Sequence, residues 1–470
     1  MIMPVILWTD ALIFLLLGIV LLFGLYARGK PHLRAPWRHV LCSRAGSASG
    51  VILLAYISIG LLDSLHYRLP LENTTPDTSG THYAVEVLSA LDYLVGPLRT
   101  RTEKTYSAPF ATRLYARETV QLADGTQIRE YPRLEYAGRH LENPDSGRLP
   151  DILHRGSTAL LKALLASALV LLGIGLWQAR RHRQPLPVTL RRILRGGTPV
   201  PWAVIWLVAS SLLVLFFLAT GLALDYHVFG TDKVGQDVFY QTLKSVRTGL
   251  VIGTLTTLVM LPFAILMGIL AGYARGWVDD LIQYLYTTLN SIPYVLLIAA
   301  AILMLQVYMA NHPELFETTV ERADIRLLFL CIILGITSWT GLCRLLRGES
   351  LKLREAEYIQ AAASFGVSHA KIIGRHILPN VMHIVLITVV LDFSGLVLAE
   401  AVLSYVGVGV DPTMNSWGNM INSARLEMAR EPVVWWSLLA AFLFMFTLVL
   451  AANLFSDAVR DAFDPRLRQR

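Results

Sequence analysis

The sequence predicts an all-α polytopic membrane protein. Of its 470 residues, 54% are hydrophobic and only 16% are charged, whereas a soluble protein usually carries about 25% charged residues. The apolar residues form runs of the length that a membrane-crossing helix needs, which is about 20 residues. The net charge of +7 matches the Lys and Arg bias of cytoplasmic loops, so we expect no nucleic-acid partner.

Nine apolar stretches have the length of a membrane span. The first has no basic residue before it and is longer than the apolar core of a signal peptide, so we interpret it as a retained span. The second is the shortest, since it ends at Asp63 and His66. The predicted spans are 5–26, 50–66, 158–178, 201–224, 248–272, 281–309, 326–343, 381–404 and 433–456.

The charges between the spans predict the orientation. The segment between the first two spans carries five Lys or Arg residues and no acid, and the segment between the third and fourth carries six Arg residues and no acid. Both segments should be cytoplasmic by the positive-inside bias. Alternation then places 67–157, 225–247, 310–325 and 405–432 outside and 344–380 inside, with the N-terminus outside and the C-terminus in the cytoplasm.

The loop 67–157, here named the external domain, is long enough for a small α+β domain. The sequence HYAVEVLSALDYLVG (82–96) has helical apolar spacing, and ETVQLADGTQIREYPRL (118–134) predicts two strands around an Asp124–Gly125 turn. A change of composition near residue 200 marks the start of a C-terminal core. The predicted domains are 1–66, with N-terminal transmembrane helices; 67–157, the external (periplasmic) domain; 158–200, with a transmembrane helix and a basic cytoplasmic linker; and 201–470, the core, which contains the cytoplasmic loop 344–380.

A polar stretch, EYIQAAASFGVSHAKIIGRHILPN (357–380), lies between two predicted spans. The composition of 345–365 favours a helix, and Gly366 can take the left-handed conformation that ends one. Ser368 can cap a second helix, which should end or kink near Pro379 because proline is poorly tolerated inside a helix. The sequence therefore predicts a helix, a sharp turn and a short helix at the cytoplasmic face, with alanines that let another backbone approach closely.

This stretch resembles the EAA loop of bacterial ABC importer permeases. The resemblance is carried by QAA at 360–362, by Gly366 and by HILP at 376–379. Four further blocks resemble the second permease subunit of dipeptide and oligopeptide (peptide/nickel) transporters: FGTDKVGQDVFYQTLKSVRTGL (229–250), GYARGWVDDLIQYLYTTLNSIPYVLLIAA (272–300), EAVLSYVGVGVDPTMNSWGNMI (400–421) and DAVRDAFDPRL (457–467). The five blocks cover roughly residues 200 to 470 and leave 1–200 unmatched.

The resemblance implies a six-helix type I ABC importer permease core, preceded by three additional transmembrane helices and the external domain. It implies a non-catalytic permease subunit of the bacterial inner membrane that moves di- or oligopeptides by alternating access. The implied partners are a second permease subunit, two cytoplasmic ATPase subunits and a periplasmic or lipoprotein substrate-binding protein. We expect no cofactor in this chain, because its G-x-x-x-x-G-K match at 24–30 is followed by Pro31 in place of Ser or Thr, so ATP and Mg²⁺ should bind to the ATPase partners.

In this family the loop docks on the ATPase subunit, which assigns coupling roles to residues of this chain. Gln360 stands where the family typically has glutamate, so a neutral hydrogen bond replaces a charged one there and Glu357, one turn earlier, becomes the candidate for an ionic contact. The residues assigned to coupling are Glu357, Gln360, Ala361, Ala362, Gly366, Ser368 and Pro379.

Polar residues within the spans are candidates for the translocation path, because charges at bilayer depth are costly and usually functional. Asp392 and Glu400 lie in one predicted span, and Asn290 lies early in another, where Pro293 should produce a kink. A structural role remains the alternative for Glu400 and Asn290.

Three alternative functions remain open from the sequence. The first is an importer of nickel or another small ligand, since related permeases share these blocks. The second is a membrane-embedded hydrolase, which would need a nucleophile beside a base, and the third is a secondary transporter, which commonly has internal inverted repeats. We identify neither a nucleophile with its base nor a repeat in the sequence.

Overall fold

The computed structural model describes residues 3–71, 83–121, 127–316 and 318–463. Within these ranges nine helices are long and apolar enough to cross a membrane, which confirms the predicted all-α polytopic class. The chain divides into two compact units. The first unit comprises Met1–Val5, Trp37–Thr248 and Asn415–Ala458, and the second comprises Ile6–Pro36, Gly249–Met414 and Val459–Arg470.

Most of the first unit consists of spans and of the external domain. Its elements are β1 (Met3–Val5), α3 (Arg44–Asp63), β2 (His66–Arg68), β3 (Leu88–Ser89), α4 (Ala90–Leu94), α5 (Gly96–Thr100), β4 (Glu118–Gln121), β5 (Gln127–Glu130), α6 (Pro144–His182), α7 (Leu186–Leu194), α8 (Trp202–Ala223) and α17 (Trp417–Glu427). Three helices continue from one unit into the other: α2 (Pro31–Cys42), α9 (Val238–Ala274) and α18 (Trp436–Phe463).

Small and polar side chains join α6 to α8. An added Cβ at Gly221 would lie 3.0 Å from the Cβ of Ala159, so the two helices approach closely. The indole of Trp206 donates to the carbonyl oxygen of Ser167 (3.0 Å), and the hydroxyls of Ser167 and Ser210 lie 2.6 Å apart. Such contacts are typical of helices that associate in lipid, where apolar burial gives little drive for association.

The external domain contains two small antiparallel sheets. β1, β2 and β3 form the first, in which Val5 pairs with His66 and His66 pairs with Ser89. β4 and β5 form the second, which confirms the predicted hairpin, although its Asp124–Gly125 turn lies outside the described residues.

The predicted helix over 82–96 is correct only in its second half. Leu88 and Ser89 pair with β2, and α4 begins at Ala90. The hydroxyl of Ser89 accepts from the N–H of Asp92, and the carboxylate of Asp92 accepts from the N–H of Ser89. This capping box fixes the helix start and overrides the helical apolar spacing before it.

The second unit is a bundle of helices around two apolar clusters. Its elements, besides its part of α9, are α1 (Trp8–Arg28), α10 (Trp277–Ser291), α11 (Tyr294–Asn311), a 3₁₀ turn (Pro313–Leu315), α12 (Thr319–Ser338), α13 (Thr340–Arg354), α14 (Glu357–Ser364), α15 (His369–Ile372), a π-helical turn (Ile373–Ile377) and α16 (Leu378–Tyr405).

The predicted span 281–309 is divided, which corrects the expected kink. α10 ends at Ser291, Ile292 is extended (φ −89°, ψ 128°), and α11 begins after Pro293. Proline disfavours the helical conformation of the residue before it, so the chain breaks its helix fully at this point.

The glycine pair of GILAG, Gly268 and Gly272, brings α9 against α13. An added Cβ at Gly268 would lie 2.7 Å from the Cβ of Leu346, and one at Gly272 would lie 2.5 Å from the carbonyl oxygen of Arg347. This small-xxx-small pattern therefore serves helix packing.

Candidate functional site

Residues 344–380, here named the coupling segment after their predicted role, are anchored by buried isoleucines. Ile359, Ile372 and Ile377 are at most 2% exposed and pack in an apolar cluster with side chains of α9, α10 and α13. The other side chains of α14 are exposed, except the half-buried Ala362. The segment is thus held within its own unit on one side and presents free surface on the other.

The helix predicted over 345–365 is interrupted. α13 ends at Arg354, and Ala356 is extended (φ −68°, ψ 136°) before α14 begins. Beside the break, the carboxylate of Glu355 accepts from the guanidinium of Arg275 at 2.6 Å. Arg275 lies in the turn between α9 and α10. The interruption is therefore accompanied by a tertiary contact, which local composition cannot predict.

Gly366 ends α14 in the predicted left-handed conformation, with φ +77°. Its N–H donates to the carbonyl oxygen of Ala363 (3.0 Å), and the N–H of Val367 donates to that of Ala362 (3.1 Å). These two bonds form a Schellman motif, which satisfies the last carbonyls of a helix and favours glycine at the left-handed position. The sharp turn in the coupling segment therefore depends on Gly366.

Ser368 occupies the predicted N-cap position of the next helix. Its backbone is extended (φ −61°, ψ 143°), but its side chain makes no capping hydrogen bond. The predicted position is confirmed and the predicted side-chain cap is wrong.

The second helix was predicted to end or kink near Pro379, and of these two alternatives the end is wrong. It passes through the π-helical turn at Ile373–Ile377 and continues as α16, with Pro379 in the first turn of that helix. The N–H of Leu378 donates to the carbonyl oxygen of Ile373. A wider turn before proline gives its ring room that a regular helix lacks, so the irregularity precedes the proline.

Gln360 bonds within the coupling segment. Its amide nitrogen lies 3.2 Å from the carbonyl oxygen and 3.4 Å from the carboxylate of Glu355. The acid that Gln360 contacts is therefore Glu355, whereas the ionic contact predicted for Glu357 would be made to the ATPase partner and stays a prediction. Glu357 stands exposed at the start of α14.

The turn between α9 and α10 holds the coupling segment at two further points. Arg347 makes a bidentate ion pair with Asp279, at 2.6 and 2.7 Å, and this guanidinium lowers the pKa of Asp279. The hydroxyl of Tyr273 lies 2.7 Å from Nδ1 of His369. Bidentate pairs fix orientation as well as distance, so this turn sets the placement of α13 and α15.

Phe365 is the residue of this surface that sequence reasoning missed. It precedes Gly366 at the turn, and 86% of its surface is exposed. Phe365 therefore adds apolar surface to the exposed side of the coupling segment. The signal in the sequence was an aromatic residue directly before the turn glycine.

The three translocation-path candidates are not joined by any hydrogen bond among the described residues. Asn290 is exposed at the end of α10, where its side-chain oxygen accepts from Thr340 (3.1 Å). Glu400 is 2% exposed and accepts from Ser404, one turn later on α16, at 2.7 Å. Asp392 is half-buried on α16. Across the described part of the chain, no three His, Cys, Asp or Glu side chains are arranged to hold a metal ion.

The nine spans and the exposed, glycine-terminated helix pair between two of them are features of the membrane-spanning subunit of a transporter. Residues 264–469 match the family described as binding-protein-dependent transport system inner membrane component. The oligopeptide transport system permease protein OppC of Haemophilus influenzae is 32% identical over 243 residues, which are 52% of this chain and 71% of that protein. The chain belongs to this family of ABC importer permeases, within its peptide-transport branch, and is a multi-pass inner-membrane protein.

Two other relatives support the same assignment. The dipeptide transport system permease protein DppC of Bacillus subtilis is 30% identical, over 52% of this chain and 70% of that protein. The glutathione transport system permease protein GsiD of Pectobacterium atrosepticum is 29% identical, over 62% of this chain and 99% of that protein.

Proposed function

We propose that this chain is the non-catalytic permease subunit of an ATP-driven importer of di- or oligopeptides, and that it works by alternating access. Separate ATPase subunits bind ATP and Mg²⁺, a second permease subunit completes the path, and a periplasmic or lipoprotein receptor delivers the peptide. The names of the relatives support peptide as the substrate class, since they transport oligopeptides, dipeptides and glutathione. ATP binding shifts the equilibrium between two packings of the spans.

The observation that carries this proposal is the two-sided coupling segment. Its isoleucines are buried within the unit, whereas Phe365 and the outer residues of α14 are exposed. A docking helix that transmits motion needs a buried side and an exposed side, because it must move with its own spans and bind a partner.

The test compares two substitutions of Gly366 in the reconstituted complex. Nothing described lies within 4 Å of a Cβ built at Gly366, so a side chain there meets only backbone strain. Asn tolerates the left-handed conformation and Val does not. We expect Gly366→Val to reduce peptide-stimulated ATP hydrolysis at least tenfold, and Gly366→Asn to retain most of it.

Membrane insertion and ATPase co-purification are the controls for that test. Full stimulation by peptide in Gly366→Val would contradict the coupling role. A chain that moved peptide in the absence of any ATPase subunit would overturn the importer class itself.

The orientation with the N-terminus outside has support from β1. This strand pairs with β2 at the start of the external domain, which supports an N-terminus on the same side of the membrane as that domain. Cysteine labelling at Met3 and at Phe463 from each side of sealed vesicles tests the orientation.

We further propose that the external domain is the docking surface for the receptor. It is bonded to the loop after α8: the N–H of Glu103 donates to the carbonyl oxygen of Gly235 (2.9 Å), and that of Thr231 donates to the carbonyl oxygen of Ser107 (3.1 Å). It also reaches the segment before α18, where the hydroxyl of Tyr115 donates to the carbonyl oxygen of Val433 (3.1 Å). Both of these loops are predicted to be external, and the domain covers part of each.

The hairpin of β4 and β5 is the part of this domain to test. Every residue of β5 is exposed, so replacing 119–129 with an Asn-Gly turn should leave the domain folded while removing the protruding strands. We expect receptor affinity to fall at least tenfold while basal ATP hydrolysis stays constant. Unchanged affinity and unchanged transport would remove this role from the hairpin.

The hydrolase alternative loses support from its best candidate pair. The hydroxyl of Ser89 lies 3.2 Å from the amine of Lys244, an arrangement that resembles a nucleophile with a base. Ser89 is fully buried, however, and Lys244 is paired with Asp63 (2.5 Å) and Asp92 (3.0 Å). These four side chains tie α3, α4 and α9 together instead of meeting a substrate.

A further inference from the structure

The segment between α6 and α8 carries six exposed arginines in a stretch of sequence that contains no acid. Residues 152–224 contain neither Asp nor Glu, and none of the six arginines forms an ion pair with any described residue. All six side chains are exposed. This arginine cluster consists of Arg180, Arg181, Arg183, Arg191, Arg192 and Arg195.

The cluster is held in place by a short amphipathic helix. Arg183 ends α6 in the left-handed conformation (φ 50°), and α7 folds back onto α6. Ile193 and Thr189 of α7 are at most 3% exposed, and Leu190 packs so closely on Gly175 that an added Cβ there would lie 2.6 Å from it. The arginines therefore project from a fixed framework and not from a loose tail.

Aromatic and apolar side chains surround the cluster at the level where the span ends. The guanidinium of Arg181 lies 5.3 Å from the ring centre of Trp177, whose ring meets that of Trp202 edge-on at 5.7 Å. Tryptophan collects at the boundary between acyl chains and headgroups. Leu172 and Leu176, further along α6, are 40% and 41% exposed, so apolar surface continues from the cluster into the bilayer.

We propose that the arginine cluster binds the phosphate headgroups of anionic phospholipids, whose acyl chains lie along the exposed leucines of α6. Positive-inside orientation needs only Lys or Arg, yet residues 163–232 contain no lysine. The planar guanidinium binds phosphate oxygens in pairs, which an ammonium does not do. Three features favour an anionic lipid over an acidic protein partner. The basic residues are all arginines, their segment contains no acid, and they lie at the level of the tryptophans at the end of the span.

The experiment uses the full chain in nanodiscs of phosphatidylcholine with and without phosphatidylglycerol. Native mass spectrometry and competition with labelled phosphatidylglycerol measure lipid affinity. A basic residue near an anionic surface contributes about fivefold in affinity, so we expect the triple variant R191Q/R192Q/R195Q to bind this lipid roughly 100-fold more weakly. The matched control changes Arg28, Arg34 and Arg38 to Gln. These are three of the exposed arginines of the other basic segment, and the control should retain most of the affinity.

A second variant separates phosphate binding from charge alone. R191K/R192K/R195K keeps the orientation signal and the charge but loses the planar fork, and it should weaken phosphatidylglycerol binding several-fold without altering topology. Equal binding by wild type and the Gln triple variant would overturn the proposal. A second outcome would also overturn it. In discs without anionic lipid, the arginines could become protected from dicarbonyl modification only when the ATPase subunits are added, and this would show that the cluster binds a protein.

Discussion

Gly235 and Gly366 share a backbone φ of +77°, but their surroundings are opposite. A Cβ at Gly235 would lie 1.7 Å from the carbonyl oxygen of Glu103, whereas nothing described lies within 4 Å of one at Gly366. The first glycine lies where the external domain closes on the loop after α8, and the second lies at the open turn of the coupling segment. One region is a completed contact within the chain, and the other is an open surface, which we propose binds the ATPase partner.

The polar groups of the two regions differ in the same way. His227 is buried between two carboxylates: its Nδ1 lies 2.7 Å from Asp237 and its Nε2 lies 3.5 Å from Glu103. In the coupling segment, Arg275 and Glu355 pair at 2.6 Å with about half of each side chain exposed. Buried pairs are costly to break, and exposed pairs are worth little. Substitutions should therefore unfold the first region and mainly change coupling in the second.

The largest effect should come from His227→Leu. This change leaves Glu103 and Asp237 buried without their cation, which costs about 3–5 kcal/mol. His140→Leu is the matched control, since His140 pairs with Asp151 at 2.8 Å but is partly exposed, and it should cost about 1 kcal/mol or less. The temperature at which the external domain becomes protease-sensitive measures both. Equal shifts for the two variants would contradict the comparison.

The same histidine should make the external domain sensitive to alkaline pH. Burial alone would lower the pKa of His227, but the hydrogen bond to Asp237 and the carboxylate of Glu103 outweigh it and raise this pKa from 6.5 to about 9. A group whose pKa is higher in the folded state than in the unfolded state stabilises the fold fully at pH values below its unfolded-state pKa. The stabilisation that His227 contributes to protease resistance should thus be fully present below about pH 6.5 and be lost as the pH rises through about 9. In His227→Leu this decline should disappear.

Alanine at each of the two glycines measures the difference directly. Gly366→Ala meets only the cost of a left-handed conformation, about 1–2 kcal/mol. Gly235→Ala adds a backbone clash to that cost, and overpacking costs about 1–3 kcal/mol more. We expect Gly235→Ala to lower the protease-resistance temperature of the external domain by at least twice as much as Gly366→Ala lowers that of the coupling segment. A smaller decrease of this temperature in Gly235→Ala would mean that the backbone at Glu103 can shift at little cost to relieve the clash.

The sequence predicted the features that depend on local chemistry. Apolar runs located nine spans, the hairpin 118–130 followed from its strand and turn signals, and the left-handed Gly366 followed from the need to end a helix. Pro293 was recognised as an irregularity, although a full break replaced the expected kink. Each of these features depends on residues close together in the chain.

The features that could not be predicted depend on partners far along the chain. His227 meets Glu103 although two spans, α6 and α8, lie between them in the chain, and Glu355 meets Arg275 in the distant α9–α10 turn. The helix break before α14 lies beside the second of these pairs, and composition alone suggested a continuous helix there. Exposure of Phe365 likewise results from the packing of the helices around it.

The smallest expected effect concerns the identity of residue 360. Gln360 donates to the carbonyl and carboxylate oxygens of Glu355, so Gln360→Glu would replace a hydrogen bond with two neighbouring like charges. Like charges at neighbouring positions of a helix are destabilising by about 0.2–0.5 kcal/mol, and we expect a cost of the same order here. We expect a modest loss of peptide-stimulated ATP hydrolysis, about twofold, although this substitution restores the residue that is typical of the family.

The exchange variant Gln360→Glu with Glu355→Gln decides why the loss occurs. If repulsion within the coupling segment causes it, the exchange restores hydrolysis, because one acid and one amide again face each other. If the ATPase partner instead requires a neutral group at position 360, the exchange stays as impaired as the single variant. Rescue would show that the glutamine at 360 compensates for the glutamate at 355, so that contacts within the coupling segment restrict which residues its exposed surface can carry.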